Sequence, residues 1–193
     1  VILNSALVSG GENIPIDPAC PLIYLEDKVW IEGDLSQKVT IAAADLANAG
    51  QTNLVINDDV EYVPDTDAGL LAIAEDDIDI NLVIPGEDLE LMGIYIAQNG
   101  RFGRNRYAEA GWVNRPPWTN VGLPNWLDQY VFLGDFNRLG TIVSRERAAV
   151  NWVGASGFTG GGSSFDRNQV DDPPPLTPNT SDVYMLEDWR QDG

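Results

Sequence analysis

The sequence contains no histidine, a single cysteine and only two lysines. Without histidine, Ser-His-Asp and Cys-His catalysis are excluded, as are zinc fingers and most transition-metal sites. Cys20 has no second cysteine with which to form a disulfide inside the chain. Lys28 and Lys38 lie between strand-like residues and not in a Gly-rich loop, so a phosphate-binding loop is unsupported.

Long apolar runs and helical periodicity are also missing. No stretch of about 18 consecutive apolar residues occurs, so we expect no membrane segment within this chain. The best helical candidate, residues 44–50, is two turns at most. Short β-like runs followed by polar corners recur instead, which is typical of an all-β protein.

Positive charge is scarce in the first half of the chain. Residues 1–100 hold 19 acids and two lysines, whereas residues 101–193 hold 11 acids and nine arginines. Such an acidic field repels phosphate backbones, so we expect no nucleic-acid partner. We interpret the acids as a solvated surface that keeps the protein soluble, with calcium binding as the alternative.

Two sets of β-like runs recur along the chain. Their centres are Ile41, Ile73, Ile96 and Ile142 in one set, and Ile31, Ile56, Ile80 and Phe102 in the other. The second set is spaced by 25, 24 and 22 residues. Repeats of this length made of short strands predict a parallel β-solenoid, in which each turn buries its apolar face against the next. The alternative is a β-sandwich with a strand about every 8–12 residues.

One corner between such runs is strongly acidic. In LLAIAEDDIDI, residues 70–80, a strand is followed by Glu75, Asp76 and Asp77, and then by a second apolar run. A catalytic cluster is one interpretation of the three acids. We favour a corner in which they turn the chain and face water, because the matching residues 98–100 are uncharged.

The whole chain, residues 1–193, is predicted to be one domain. It divides into a lead-in, coils, an insertion, and a Gly/Pro-rich strap with a terminal strand. Residues 157–164 are expected to be a Gly-rich connection, residues 171–178 an extended strap, and residues 183–190 a last strand that covers an open surface. The boundaries are 1–21 for the lead-in, 22–156 for the coils, 107–130 for the insertion and 157–193 for the strap and strand.

The insertion is rich in aromatic residues and prolines, so it is predicted to be a loop. Its aromatic rings either bind a protein or glycan partner, or fold back over the coils. Nearby arginines, including Arg101, either pair with the acidic coils or hold an anionic partner. The candidate partner-binding residues are Trp112, Trp118, Trp126, Tyr107, Arg104, Arg106 and Arg115.

Calcium and catalysis are weaker interpretations of the acids. Asp65 and Asp67, followed by a glycine turn, offer oxygen ligands for calcium, but the EF-hand pattern is missing. Glycoside cleavage needs two carboxyl groups at a set separation in a groove. The sequence has too many acids to nominate such a pair, so we expect no enzyme and no cofactor.

Three segments, VWIEGDLSQKVTIAAAD, LLAIAEDDIDI and IYIAQNGRFGRNRY, are followed in order by residues 165–168, 172–175 and 189–191. Taken together, they resemble the C-terminal region of PilX-like proteins, which are type IV pilus-associated proteins of bacteria. The resemblance covers roughly residues 22–191. It implies a right-handed β-solenoid displayed on a pilus or cell surface, without known catalysis. The family's pilin-like N-terminal helix is not part of this sequence, so its anchoring is not carried over.

Together these patterns predict a non-enzymatic structural or adhesive module, extracellular or on the surface of a bacterium. It would present a rigid acidic face and a Trp-rich loop to a protein or glycan, including pilus components. Two alternatives stay open: a self-assembling filament subunit, and a polysaccharide-active β-helix enzyme.

Overall fold

The structure is a computed structural model in which residues 6–9, 12–48, 52–108, 112–113, 125–152 and 156–177 are described. Strands make up most of this part of the chain, so the prediction of an all-β protein is confirmed. The strands are β1 (Ala6–Ser9), β2 (Glu12–Pro15), β3 (Leu22–Leu25), β4 (Val29–Ala43), β5 (Leu54–Ala74), β6 (Ile78–Ile80), β7 (Leu89–Ala97), β8 (Phe102–Arg104), β9 (Tyr107–Ala108), β10 (Trp112–Val113), β11 (Phe132–Ser144), β12 (Asn151–Trp152) and β13 (Ser156–Ser164). The helices are a 3-10 helix (Asn125–Tyr130) and a short α-helix, α1 (Asn168–Asp171).

Nine strands form one sheet, whose pairs are parallel except where β12 meets β13. Its main path runs β3-β4-β5-β7-β11-β13-β12, so up to β13 the neighbours follow the order of the chain. β6 pairs with β5, and β8 pairs with β6. Two antiparallel pairs, β1 with β2 and β9 with β10, form separate two-stranded sheets. Successive strands of the large sheet therefore lie side by side and point the same way.

The register confirms most of one predicted row of apolar residues. Ile31, Ile56 and Ile80 are direct neighbours on β4, β5 and β6. Phe102 pairs with Ile78 and not with Ile80. This shift of two residues keeps Phe102 on the buried face, because side chains alternate with a period of two along a strand.

In the other predicted row, two of the four isoleucines are out of register by one residue. Ile73 pairs with Ile96 as predicted, but Ile41 pairs with Ala72 and Ile142 pairs with Tyr95. A slip of one residue moves a side chain to the opposite face of a sheet. The buried row is therefore the one that contains Ile41 and Tyr95, where the small Ala72 makes room for the large tyrosine ring.

Four aromatic rings form a column inside the later strands. Tyr95 meets Phe102 edge to face at 5.8 Å between ring centroids. Phe136 lies 6.4 Å from Phe102 and 5.4 Å from Phe158. Such spacings are favourable for aromatic pairs. The column links β7, β8, β11 and β13 through one core.

Two of the three acids in the corner after β5 are buried and Asp76 is half-buried, so the prediction that these acids face water is wrong for Glu75 and Asp77. Glu75 is 8% exposed and Asp77 is 5% exposed. Glu75 Oε2 accepts the backbone N–H of Asp45 at 3.0 Å, and Asp77 Oδ1 accepts that of Arg101 at 2.8 Å. The two carboxylates thus bind the preceding and the following turn of the chain, where buried N–H groups need an acceptor.

Two further acids, one inside β5 and one directly before β7, make the same kind of contact. Asp59 Oδ1 accepts the backbone N–H of Glu90 at 2.7 Å. Asp88 Oδ1 accepts the backbone N–H of Asp135, also at 2.7 Å. Part of the acidity of the chain therefore joins neighbouring strands instead of serving only as a solvated surface.

The segment after the sheet runs back across it. Residues 157–164, predicted to be a connection, belong to β13. Beyond β13, Gln169 is hydrogen-bonded to Tyr62 of β5, and Asp172 is ion-paired with Lys38 of β4. Thr40 of β4 then donates a hydrogen bond to the carbonyl oxygen of Pro175. The strap therefore leads from β13 towards the opposite edge of the sheet.

The buried corner gives a test of stability. We expect Asp77→Ala to lower the free energy of unfolding by about 1–3 kcal/mol, because the Arg101 N–H loses its buried acceptor. Asp77→Asn keeps an acceptor oxygen and is expected to cost less. Urea unfolding measures both, with the exposed Glu26→Ala as control. Equal, small effects of all three variants would contradict the buried role of Asp77.

Candidate partner-binding site

The candidate site lies in the segment that joins β8 to β11. Part of this segment is described: β8, β9, β10 and the 3-10 helix. Trp118 and Arg115 lie outside the described residues, and for Trp112 the structure describes only the backbone pairing with Ala108. The remaining four predicted residues are Arg104, Arg106, Tyr107 and Trp126, and the structure separates them into a buried and an exposed pair.

Arg104 is buried completely and holds the segment from inside. Its guanidinium donates hydrogen bonds to the carbonyl oxygens of Leu82 (2.8 Å), Val131 (3.1 Å) and Tyr130. It also lies 4.9 Å from the centroid of the Tyr107 ring, a cation–π contact. Burial lowers the pKa of Arg104 to about 10. A side chain with no exposed surface does not offer charge to a partner, so this arginine acts within the fold.

Arg101 makes a second, neighbouring contact with an aromatic ring. Its guanidinium lies 5.9 Å from the centroid of the Trp152 ring and 3.8 Å from an Asp79 carboxylate oxygen. Trp152 Nε1 donates to the carbonyl oxygen of Arg104 at 3.0 Å. Of the two predicted roles for the nearby arginines, pairing inside the protein is therefore the one that Arg101 fulfils.

A small apolar cluster anchors the 3-10 helix and leaves one tryptophan exposed. Tyr107, Leu127 and Val131 are buried together with Leu82. Burial raises the pKa of the Tyr107 hydroxyl. Trp126, the residue before Leu127, is 66% exposed. The helix thus fixes an indole ring at the surface of a rigid element, which is a suitable anchor for a partner.

Arg106 is exposed, one residue before the buried Tyr107. Trp126 and Arg106 are therefore the two predicted residues that the structure leaves available to a partner among the described residues. Trp30 on β4 is 48% exposed, although it was not predicted as a site residue. The alternation Val29-Trp30-Ile31, with both neighbours buried, is the signal that assigns Trp30 to the outer face.

The predicted calcium ligands lie on an exposed turn inside β5. Asp65 has a positive φ of 61° and is exposed, and Asp67 lies 3.0 Å from Lys38 Nζ. A cation at Asp67 would have to displace this lysine. Among the described residues, no three or more acidic or cysteine side chains are grouped so as to hold a metal ion. Calcium binding stays a prediction.

Carboxylates also face each other across β4, β5 and β7. Asp34 pairs directly with Glu61 in the register of β4 and β5. The pKa of Glu61 is raised by partial burial and then by the charges of Asp59, Asp34 and Glu90. The pKa of Asp58 is raised by burial and by neighbouring carboxylates. This acidic face is electrostatically strained, and it can attract cationic groups.

No protein-family model, curated protein or solved structure matches the chain. Within the described residues, no helix has the length and apolar character that crossing a membrane requires.

Arg104 and Arg106 form a matched pair for a stability test. We expect Arg104→Met to lower the free energy of unfolding by about 3 kcal/mol, because buried carbonyl oxygens lose their charged donor. Arg104→Lys is expected to retain only part of this free energy, because one ammonium group cannot reach several carbonyl oxygens as the planar guanidinium does. Arg106→Met should stay within about 0.5 kcal/mol of the parent. Chemical denaturation measures all three, and an innocuous Arg104→Met would contradict the buried role.

The acidic face predicts a pH-dependent effect of Glu61→Gln. The raised pKa of Glu61 means that the folded state binds its proton more tightly than the unfolded state, so this stability is present at acidic pH and lost as pH rises. We therefore expect Glu61→Gln to raise the Tm at pH 7 and to leave it unchanged near pH 3. Thermal unfolding at both values measures this, with Glu26→Gln as the exposed control. A lower Tm at pH 7 would refute the predicted repulsion.

Proposed function

We propose that the protein is a non-enzymatic structural or adhesive module that presents an acidic face and an aromatic segment to a protein or glycan partner. The observation that carries the proposal is Trp126, which is 66% exposed on a helix anchored by the buried Leu127. An exposed ring on a fixed element binds with little loss of conformational freedom. Trp112, Trp118 and Arg115 belong to the same segment of sequence and are part of the proposed surface.

We propose further that the strands wind as a parallel β-solenoid. In its favour, the strands of the large sheet follow chain order, and Ile31, Ile56 and Ile80 are neighbours within one sheet, where a sandwich would divide such strands between two sheets. The hydrogen bonds between side chains and backbone recur at separations such as 24 and 30 residues, the length of one predicted turn. A right-handed winding is what the family resemblance implies.

The proposed setting is the surface of a bacterium, on a pilus or in the envelope. Its support is the ordered resemblance to PilX-like proteins, which stays a prediction. A rigid sheet with an acidic outer face suits a module exposed to solvent, because like charges keep copies apart. Catalysis is not part of the proposal, because the chain has too many acids to nominate the two carboxyl groups that glycoside cleavage needs.

A self-assembling filament subunit is the second candidate. It is favoured by the two ends of the sheet, because β3 and most of β13 each have one strand neighbour among the described residues. Open strand edges pair readily with another chain. Light scattering over a range of protein concentrations and electron microscopy separate the two candidates, since an adhesive module stays monomeric.

The adhesive proposal is tested with labelled protein on an array of surface glycans. We expect binding to at least one glycan class and a loss of tenfold or more in Trp126→Ala. Trp30→Ala, which removes an exposed tryptophan outside the segment, is the matched control and should bind within twofold of the parent. A reducing-end assay on the bound glycan should detect no cleavage. If Trp126→Ala binds every glycan like the parent, the aromatic surface is not the binding site.

A further inference from the structure

The last parallel strand of the sheet has an unpaired edge. From Thr159 to Ser164, β13 pairs with β11 on one side, and no described residue pairs with its other side. These residues are exposed and uncharged. An open edge without a charge or a proline is a template for a further strand.

A recess that is open to solvent lies beside this edge. This recess is a cavity of about 360 Å³ between β13 and the chain before it, and its lining includes Phe136, Val150 and Phe158. Phe136 and Phe158 are the last two rings of the aromatic column. The core therefore ends at β13 with room for side chains from one more strand.

Arg138 points into this unfilled end. It lies two residues after Phe136 on β11 and is paired with the buried Leu91, so it is on the inner face. Its Nε is buried and has no hydrogen-bond partner, and no described carboxylate lies within ion-pair distance of it. A guanidinium in such a place is best satisfied by a carboxylate.

Small residues of β13 leave space beside the Phe136 ring and the Arg138 guanidinium. Gly161 pairs with Phe136 and has a φ of 115°, and a Cβ atom there would overlap the Phe136 carbonyl oxygen. Ser163 pairs with Arg138. A strand added to the edge of β13 would therefore place a large side chain beside Gly161 and, two residues further, a carboxylate beside Ser163.

One segment of the chain outside the described residues has this pattern. The other undescribed stretches are too short for a strand or contain no acid. Residues 183–190 read VYMLEDWR, in which Met185 and Glu187 are two residues apart. Leu186 and Asp188 have the same spacing, but that register would also place the charged Arg190 on the inner face. With Met185 and Glu187 on the inner face, the charged Asp188 and Arg190 lie on the outer face, where water solvates them.

The described chain ends close enough for this segment to reach β13. Its last residue is Thr177, two residues after Pro175, which is hydrogen-bonded to Thr40 of β4. From β4 to a strand beyond β13 is five strand spacings, about 24 Å. The ten residues from Thr177 to Glu187 span up to about 34 Å when extended.

We propose that the open end of the sheet is a docking site for residues 183–190 of the same chain. They pair with the free edge of β13, Met185 enters the cavity beside Phe136, and the Glu187 carboxylate pairs with the Arg138 guanidinium. The strap thus crosses the sheet and the terminal strand returns to close its end. This proposal is independent of the partner-binding function.

Disulfide trapping in the full chain tests the pairing. In a Cys20→Ser background, Ser164→Cys and Asp188→Cys place two thiols on neighbouring outer positions, and we expect a disulfide to form within one chain under mild oxidation. Ser164→Cys with Glu187→Cys is the matched control, whose thiols face opposite sides and should cross-link at least tenfold more slowly. Equal rates for both pairs, or disulfides only between two chains, would overturn the proposal.

A double-mutant cycle tests the ion pair separately. We expect Arg138→Met and Glu187→Gln each to lower the equilibrium constant for folding at least tenfold, and the double variant to be no worse than either single one. Asp188→Asn should change that constant less than twofold. Independent, multiplying effects of Arg138→Met and Glu187→Gln would show that the two side chains do not meet.

Discussion

The structure depends on parallel strands whose backbone groups must be satisfied at every corner. Between corners, the hydrogen bonds of the sheet do this. At the corners, backbone hydrogen bonds between neighbouring segments continue, as from Glu75 N–H to the Ala43 carbonyl oxygen, and the carboxylates of Glu75 and Asp77 accept further backbone N–H groups. Charged acceptors make such hydrogen bonds roughly twice as strong as neutral ones, which offsets the cost of burying them. The acids are thus part of the scaffold, and they help to hold the apolar rows of neighbouring parallel strands in register.

This use of acids has an electrostatic cost that the fold distributes unevenly. Where the carboxylate binds an N–H, as at Asp77, the charge has a partner; where Asp34 lies opposite Glu61, like charges face each other and the pKa of Glu61 is raised. Lys38 offsets part of this negative charge, because its ammonium group forms ion pairs with Asp67 and with Asp172 of the strap. One of the two lysines therefore ties the returning chain to the most acidic part of the sheet.

The sequence alone predicts the strand class and part of the register, because Ile31, Ile56 and Ile80 recur at a nearly constant spacing and are neighbours on parallel strands. It does not predict which of two adjacent residues faces inward, since Ile-Ala pairs fit either face, and so Ile41 and Ile142 were placed one residue out of register. The strand at 157–164 was interpreted as a connection, because its glycines lack β propensity; Gly161 is needed there for close approach to Phe136. The burial of Arg104 depends on carbonyl groups from distant residues and has no local signal.

The arginines illustrate how a chain poor in positive charge uses it. Arg101 and Arg104 lie at the base of the segment that carries the aromatic residues, where Arg104 donates to three carbonyl oxygens. The guanidinium groups of Arg104 and Arg101 also lie against the rings of Tyr107 and Trp152. Two residues after Arg104, Arg106 is exposed. Fixing the base of the segment by buried cations lets Trp126 stay exposed without a large apolar core beneath it, because Leu127 and Val131 need to bury only a small cluster. A rigid base with an exposed indole suits the proposed recognition of a partner, and a single buried arginine, Arg104, fixes this base through several carbonyl oxygens.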